Sequence, residues 1–280
     1  MKRLSINFLL ALSLVSGISC KNSERSSGEN SSDTGVTTSD SAELSHSSRH
    51  HEWVTLSHDD REFDAFVAYP ETSEKAKPVI VIHENRGLND WARLFADKLA
   101  EKGFLVIAPD LISNTVEGKR RTTDFDNSDA ARSAIYDLDK DQVTADLNAA
   151  YEYISKDPAS TGKVAVVGFC WGGSQTFRYA TSNPDITSAH VFYGTAPTGP
   201  ELISKISAPV YGYYGGNDNR VNSTLEETEE LMEAARKKFE YVIYEDAGHA
   251  FMRSGHMEDA LPANRKAHNE AWERLLKLLE

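Results

Sequence analysis

The sequence predicts an α/β fold with a mostly parallel, doubly wound sheet that follows an N-terminal antiparallel hairpin. Short apolar runs rich in β-branched residues alternate with longer amphipathic stretches along most of the chain. Such alternation is typical of βαβ units, whose parallel strands lie buried between helices on both faces of the sheet. The chain has 280 residues, of which 40% are hydrophobic. This is enough apolar material for one large domain, which we place at residues 51–280.

The predicted domain opens with the hairpin. Residues 53–56 and 63–69 are rich in aromatic and β-branched side chains, and the polar residues 58–61 lie between them as in a turn. After Pro78 the apolar runs become continuous, which favours buried parallel strands. These strands are predicted at residues 79–82, 104–108, 164–167, 189–193, 210–214 and 241–244. Helices are predicted at residues 91–102, 142–156, 175–181, 225–239 and 267–279.

The N-terminus predicts an export signal. Lys2 and Arg3 precede the apolar residues 6–18, and small residues then lead into Cys20. An apolar stretch this short is typical of a signal peptide, because a helix that spans a bilayer needs about 20 apolar residues. Residues 1–19 are therefore predicted to be a signal peptide. The cleavage site resembles that of bacterial lipoproteins, in which the new N-terminal cysteine is acylated; the alternative is an ordinary secretory peptide cleaved close to the same place.

Residues 20–50 are predicted to be the lipidated Cys20 and a flexible linker. Residues 21–49 contain almost no large apolar side chains, and such a segment cannot bury enough apolar surface to fold by itself. The formal net charge of −13 disfavours nucleic acid and anionic membrane surfaces as partners. The protein is thus predicted to be exported to the cell envelope and to contact the membrane only through its lipid anchor.

The strongest chemical signal surrounds Cys170. It follows the apolar residues 163–167 in the string Gly-Phe-Cys-Trp-Gly-Gly, which is typical of a nucleophile elbow, a tight strand-to-helix turn with the nucleophile at its apex. The alternative is a buried packing cysteine, because free cysteine is among the most buried residue types. The chain has two cysteines, so acylation of Cys20 would leave Cys170 unpaired. Catalysis is the simplest reason for an exported protein to keep a free thiol.

An acid and a histidine follow two later predicted strands. Asp218 comes after residues 210–214 and His249 after residues 241–244. Ligands bind at the carboxyl ends of parallel strands, and the chain order of nucleophile, acid and histidine is that of the α/β-hydrolase fold. His249 is predicted to take the proton of Cys170 and Asp218 to orient the imidazole. Singly, Asp218 could be a turn former and His249 an ordinary loop histidine.

Residues 83–87 directly follow the predicted strand 79–82, where α/β-hydrolases place an oxyanion donor. The backbone N–H of Asn85 is the candidate at this position, paired with that of Trp171, the residue after the nucleophile. Glu84 is predicted to direct its carboxylate near the sulfur. The alternative for Glu84 is an acidic side chain in a surface loop.

Together these residues resemble the dienelactone hydrolase family. The resemblance implies a Cys-His-Asp triad that hydrolyses an ester or lactone through an acyl-thioester intermediate. It also implies that Glu84 holds the resting thiol and exchanges partners when substrate binds. No metal or organic cofactor is predicted, since hydrolysis on this fold needs none. The resemblance runs from about Glu52 to the C-terminus and is carried by residues 83–87, 108–111, 162–173, 216–218 and 247–251.

The resemblance also implies a substrate pocket. Family members that act on dienelactone hold the substrate carboxylate with arginines, and Arg253, four residues after His249, matches one of them. The nearest candidate for the second is Arg132, which is displaced by several residues from the expected position. This departure argues against dienelactone itself as the substrate. Arg253, Trp171 and Phe251 are predicted to line the acyl pocket for a small ester or lactone.

Other functions were weighed against hydrolysis of a lactone or ester. A broad esterase or a thioesterase would use the same residues. A non-catalytic envelope lipoprotein that binds a ligand is disfavoured because nucleophile, acid and histidine are all present. A redox-sensing thiol would need a resolving cysteine, and the predicted domain contains none besides Cys170. The histidines at positions 46, 50 and 51 lack acidic or cysteine partners in the sequence pattern, so they are not predicted to bind metal.

Overall fold

The computed structural model describes residues 37–280, and an eight-stranded sheet lies at its centre. The strands are β1 (His51–His58), β2 (Arg61–Ala68), β3 (Pro78–Ile82), β4 (Leu105–Pro109), β5 (Ala165–Phe169), β6 (Ser188–Phe192), β7 (Val210–Gly215) and β8 (Phe239–Tyr244). Their spatial order is β1-β2-β4-β3-β5-β6-β7-β8. The pairs β1–β2 and β2–β4 are antiparallel and the others are parallel. The predicted parallel sheet with its N-terminal hairpin is confirmed.

The central strands are buried on both faces, which explains their continuous apolar sequences. All five residues of β3 are buried. Side chains alternate between the faces of a strand, so Val79 and Val81 enter one apolar core while Ile80 and Ile82 enter the other. A strand that alternated apolar with polar residues could not occupy this position.

Helices cover both faces of the sheet. On one face α2, α9 and α10 share an apolar core with the strands, and on the other α4, α5 and α8 do so. None of the helices within residues 37–280 is long and apolar enough to cross a bilayer. The helices are α1 (Thr37–Ser45), α2 (Asp90–Glu101), α3 (Ser128–Tyr136), α4 (Lys140–Lys156), α5 (Trp171–Ala180), α6 (Pro200–Ile203), α7 (Asn219–Asn222), α8 (Leu225–Ala234), α9 (Phe251–His256) and α10 (Pro262–Leu279).

The predicted set of helices differs from the structure in one end and one omission. The helix predicted at residues 225–239 ends at Ala234, because Arg236 adopts a left-handed backbone conformation (φ 55°) that stops the helix before β8 begins. Helix α3 was not predicted. Its start is set by Asn127, whose side-chain oxygen accepts a hydrogen bond from the N–H of Ala130.

The prediction of a flexible linker over residues 20–50 is wrong for its C-terminal part. Residues 37–45 form α1, and the residues that follow are tied to Asp97 of α2, which is 1% exposed. Asp97 accepts hydrogen bonds from Ser47, Arg49 and His51. The composition of the segment predicted only that it lacks apolar surface, whereas it is held by charge-assisted hydrogen bonds to a buried carboxylate. The predicted signal peptide and Cys20 lie outside the described residues.

Candidate active site

Cys170 occupies a strained turn between β5 and α5. Its backbone has φ 54° and ψ −116°, an unfavourable conformation for a residue other than glycine. Its N–H donates to the carbonyl oxygen of Phe192 at 3.0 Å, which ties the turn to the neighbouring strand β6. Glycine is required beside it, because a Cβ on Gly172 would lie 2.3 Å from the carbonyl oxygen of His83. The elbow therefore packs directly against the end of β3.

His249 and Asp218 meet the thiol at this same edge of the sheet. His249 Nε2 lies 3.1 Å from Cys170 Sγ, and the opposite ring nitrogen, Nδ1, donates to Asp218 Oδ2 at 2.5 Å. The side chain of His249 is 31% exposed and that of Asp218 is 6% exposed. The three residues follow β5, β7 and β8, whose carboxyl ends converge here. The thiol, the imidazole and the carboxylate thus form one hydrogen-bonded line that opens to solvent.

The charges in this line stabilise one another. Burial lowers the pKa of His249, but the hydrogen bonds with Asp218 and Cys170 outweigh it and raise that pKa to about 9. Burial also raises the pKa of Asp218, and here the hydrogen bond and charge of His249 more than offset it, so that the pKa is lowered overall. The imidazole therefore favours the protonated, cationic form between the carboxylate and the sulfur.

Glu84 is hydrogen-bonded to an arginine and a tyrosine. It is 4% exposed and accepts hydrogen bonds from Arg253 Nε at 3.0 Å and from the hydroxyl of Tyr193 at 3.2 Å. Tyr193 also packs its ring 4.9 Å from that of His249. Burial and the Glu84 charge raise the pKa of Tyr193 well above its ordinary value, so the hydroxyl keeps its proton and serves as a donor. Glu84 and Arg253 are thus brought together next to Tyr193, whose ring packs against that of His249.

Tyr193 was missed in the sequence because a tyrosine at the end of a strand is unremarkable in composition. The one available signal was positional. It directly follows β6 and precedes Gly194, at the same carboxyl edge as Cys170 and Asp218. Its φ of 40° marks it as a strained backbone position, which cannot be read from the residue type.

The turn that carries Asn85 is held by hydrogen bonds within the turn and from Thr122. Gly87, which has φ 76°, donates to the carbonyl oxygen of Glu84 at 3.2 Å and closes the turn. Thr122 supports it by accepting from the N–H of Leu88 at 2.9 Å and donating to Asp110 at 2.8 Å. Burial raises the pKa of Asp110 to about 6, opposed by its hydrogen bonds from Thr122. Asp110, the acid of the sequence motif at residues 108–111, therefore stabilises this turn through Thr122.

Trp171 and Asn85, the two predicted oxyanion donors, contact different neighbours. Trp171 is the first residue of α5, where a backbone N–H has no acceptor within the helix, and its ring stacks on that of His83 at 5.6 Å. The side chain of Asn85 donates to the hydroxyl of Tyr136 at 3.3 Å, so α3 borders the site. Tyr136 is 62% exposed at this border.

One of the predicted pocket residues, Phe251, lies in the core. Phe251 is 0% exposed and packs against the rings of Tyr193 and Tyr244, so it belongs to the apolar core beneath the site and does not face the cleft. The preceding residue Ala250, at the start of α9, has a left-handed backbone conformation (φ 59°). Arg132 lies on α3, is 53% exposed and pairs with Asp129 on the same helix.

Within residues 37–280, no group of three or more histidine, cysteine, aspartate or glutamate side chains could hold a metal ion.

Comparison with known proteins identifies the family. The model of the dienelactone hydrolase family matches residues 63–280. A Salmonella typhimurium protein named as a carboxymethylenebutenolidase is 33% identical over 226 residues, which cover 76% of this chain and 80% of that protein. A Bradyrhizobium protein named as a 2-oxo-3-(5-oxofuran-2-ylidene)propanoate lactonase is 28% identical over 221 residues, 75% of this chain and 86% of that protein.

A solved structure shows the same fold. The crystal structure of a protein from Klebsiella pneumoniae, described as a dienelactone hydrolase, superposes with a TM-score of 0.72 at 24% sequence identity, covering 83% of this chain and 99% of that one. The α/β-hydrolase fold predicted from the order of the site residues is thereby confirmed. The matched region contains the elbow, the acid and the histidine, and the resemblance noted in the sequence is confirmed: the chain belongs to the dienelactone hydrolase family.

Proposed function

We propose that this protein hydrolyses carboxylic esters or lactones with Cys170 as nucleophile. The observation that carries the proposal is the line from Cys170 Sγ to His249 Nε2 (3.1 Å) and from His249 Nδ1 to Asp218 (2.5 Å). A nucleophile beside a base that is oriented by a third group is the arrangement of covalent acyl transfer. The names of the relatives, a carboxymethylenebutenolidase and a lactonase, agree with this class of substrate.

The proposed first half-reaction forms a thioester. The Cys170 sulfur, with its proton held by His249, attacks the carbonyl carbon and the carbonyl oxygen becomes an oxyanion. The backbone N–H groups of Trp171 and Asn85 are the proposed donors to this oxyanion. When the carbon–oxygen bond to the alcohol breaks, His249 gives its proton to the departing alkoxide. In a lactone the alcohol stays attached to the acyl group.

The proposed second half-reaction restores the thiol. Neutral His249 takes a proton from water, and the hydroxide attacks the thioester carbonyl. The sulfur leaves and recovers its proton from His249, and the released carboxylic acid loses its own proton to the solvent. Asp218 stabilises the imidazolium in both steps without itself taking the proton.

Glu84 and Arg253 are proposed to control the state of the thiol. In the resting enzyme that the family resemblance implies, Glu84 holds the Cys170 thiol. In this structure Glu84 is bonded to Arg253 and Tyr193 while the sulfur faces His249. This is the arrangement expected after the exchange of partners, with the nucleophile next to its base.

The experiment that tests the proposal measures p-nitrophenyl acetate hydrolysis by the full chain over a pH series, with and without iodoacetamide. We expect iodoacetamide to abolish turnover. We expect Cys170→Ser to lower kcat/KM by about 10³-fold or more, because the nucleophile is removed while the fold remains. Circular dichroism melting provides the control for folding.

A fully active Cys170→Ser protein would exclude the thiol as nucleophile. Absence of turnover together with a Cys170 that iodoacetamide does not modify would favour the ligand-binding lipoprotein. With turnover established, a panel of lactones, simple esters and thioesters separates a lactonase from a broad esterase or thioesterase.

We propose further that the protein is an exported lipoprotein acylated at Cys20. The support is the sequence alone: Lys2 and Arg3, the short apolar residues 6–18 and the cysteine at the predicted cleavage site. Mass spectrometry of the N-terminal peptide from the membrane fraction is the test. A diacyl or triacyl mass on Cys20, lost in Cys20→Ser, is the expected result, and an unmodified N-terminus near Ser19 would indicate an ordinary secretory peptide.

A further inference from the structure

His83 contacts three segments of the chain that meet beside the nucleophile elbow. It directly follows β3 and is 0% exposed. Its Nδ1 lies 2.8 Å from the carbonyl oxygen of Glu84, and its Nε2 lies 3.4 Å from the backbone nitrogen of Leu111. Its ring stacks on the indole of Trp171, with the two planes 12° apart. One buried side chain therefore joins the turn that carries Asn85, the segment after β4 and the start of α5.

The two hydrogen bonds fix the imidazole of His83 in one tautomer. A carbonyl oxygen can only accept, so Nδ1 carries the proton and donates to Glu84. A backbone N–H can only donate, so Nε2 keeps its lone pair and accepts from Leu111. Burial lowers the pKa of His83 to about 4, so the ring is neutral near pH 7 and both contacts persist.

The hydrogen bond to Glu84 orients the peptide unit between Glu84 and Asn85. The carbonyl of Glu84 and the N–H of Asn85 belong to this one planar, trans peptide and point in opposite directions. A donor that fixes the carbonyl therefore fixes the N–H as well. Gly87 donates to the same oxygen at 3.2 Å, so the carbonyl is held by two donors. Among residues 37–280, the N–H of Asn85 has no acceptor of its own, which leaves it available to a substrate.

We propose that His83 is a positioning residue, which orients the N–H of Asn85 toward the oxyanion and supports Trp171, the second donor, through ring stacking. The proposal rests on the proposed hydrolase function, in which these two N–H groups stabilise the oxyanion. Removal of one such donor lowers kcat by about 10²- to 10³-fold. A misplacement of about 1 Å can lower a rate by about 10²-fold, so the orientation of this peptide matters for turnover.

The test compares His83→Asn with His83→Gln. The amide nitrogen of asparagine takes the place of Nδ1 and keeps the bond to Glu84, whereas the amide of glutamine reaches the place of Nε2 and keeps the bond to Leu111. Both variants lose the ring that stacks on Trp171, so the difference between them reports the bond to Glu84.

We expect kcat for p-nitrophenyl acetate to be about tenfold lower in His83→Gln than in His83→Asn, which is part of the effect of losing an oxyanion donor. KM should differ little between the two variants, because the oxyanion forms only in the transition state. If His83 only held the segment after β4, His83→Gln would be at least as active as His83→Asn. That result would overturn the proposal.

Alkylation of Cys170 by iodoacetamide separates a misplaced oxyanion donor from a general disturbance of the site. The sulfur displaces iodide at a saturated carbon, so no oxyanion forms and the N–H of Asn85 is not needed. The rate is read by mass spectrometry on the Cys170 peptide of the full chain, so that Cys20 is scored separately. It should be nearly the same in His83→Asn and His83→Gln. A loss of alkylation rate in His83→Gln as large as its loss of kcat would overturn the proposal.

Benzyl trifluoromethyl ketone tests the oxyanion donors without turnover. The Cys170 sulfur adds to its carbonyl carbon, a carbon–sulfur bond forms, and the carbonyl oxygen becomes an alkoxide. The dissociation constant of this adduct, measured by fluorine NMR, should be higher in His83→Gln than in His83→Asn by the same factor as the loss of kcat/KM. A wild-type protein that hydrolyses no ester but shows this dependence on His83 would reject the hydrolase function and leave the role of His83 standing. Absence of any adduct on Cys170 would reject both.

The tautomer of His83 supplies a test on the wild-type protein, should His83→Gln fail to fold. Nitrogen NMR, with the ring identified by its contact with the Trp171 indole, should show a protonated Nδ1 and an unprotonated Nε2 near pH 7. A proton on Nε2 in place of Nδ1 would leave the Glu84 carbonyl without this donor and would overturn the proposal.

Discussion

Two histidine–aspartate pairs of this molecule each join an imidazole to a buried carboxylate, but their surroundings differ. His249 donates to Asp218 at 2.5 Å, and His51 donates to Asp97 at 2.8 Å. Both aspartates are buried, with side chains 6% and 1% exposed. The first pair lies at the carboxyl edge of the parallel sheet and the second lies between the start of β1 and helix α2.

The difference is in what else each pair contacts. The second ring nitrogen of His249 faces the Cys170 thiol, so a proton can pass between the sulfur and the imidazole. Asp97 instead accepts hydrogen bonds from Ser47 and Arg49 in addition to the one from His51. Its four hydrogen bonds fasten the chain ahead of the hairpin to α2. A histidine–aspartate pair thus suits proton transfer where a nucleophile completes it, and suits anchoring where further donors saturate the carboxylate.

The largest effect that separates the two pairs is expected from Asp218→Asn. The amide keeps the shape of the carboxylate but disfavours the tautomer and the cationic form of His249, so kcat/KM for p-nitrophenyl acetate should fall by about 10²- to 10⁴-fold. The variant should remain folded at the assay temperature, which circular dichroism measures. Full activity in Asp218→Asn would remove the carboxylate from the proposed mechanism and leave the two pairs alike.

The converse is expected of Asp97→Asn. Turnover should stay close to wild type, because Asp97 contacts no residue of the proposed triad. The free energy of unfolding should fall by about 3 kcal/mol, since the substitution takes the buried carboxylate from the Arg49 guanidinium, which is 11% exposed. Urea unfolding measures this loss, and limited proteolysis within residues 37–50 shows whether the segment detaches. A loss of turnover without loss of stability would mean that this pair, too, serves the site.

The sequence predicted the residues of the proposed triad, but it did not predict the residues that pack around them or that fasten the start of the domain. The reason is physical. Cys170, Asp218 and His249 each directly follow an apolar run, and a parallel sheet brings such positions to one edge. Tyr193 and the Asp97 anchor depend on contacts between residues far apart in the chain, such as the 46 positions that separate His51 from Asp97. Side-chain burial was equally out of reach, which is why Phe251 was placed in the pocket and lies in the core.

The smallest expected effect is a difference between the two pairs in how their contribution to the free energy of unfolding depends on pH. The pKa of His249 is raised to about 9 in the folded protein, against about 6.5 in an unfolded chain. Its partnership with Asp218 therefore contributes stability that is complete below about pH 6.5 and is lost as the pH rises through about 9. The difference in unfolding free energy between wild type and Asp218→Asn should accordingly shrink between about pH 6 and pH 10 in urea titrations. The penalty of Asp97→Asn should persist over the same range, because the hydrogen bond with Asp97 holds the pKa of Arg49 above its already high ordinary value. Parallel pH profiles for the two variants would contradict this assignment of the charges.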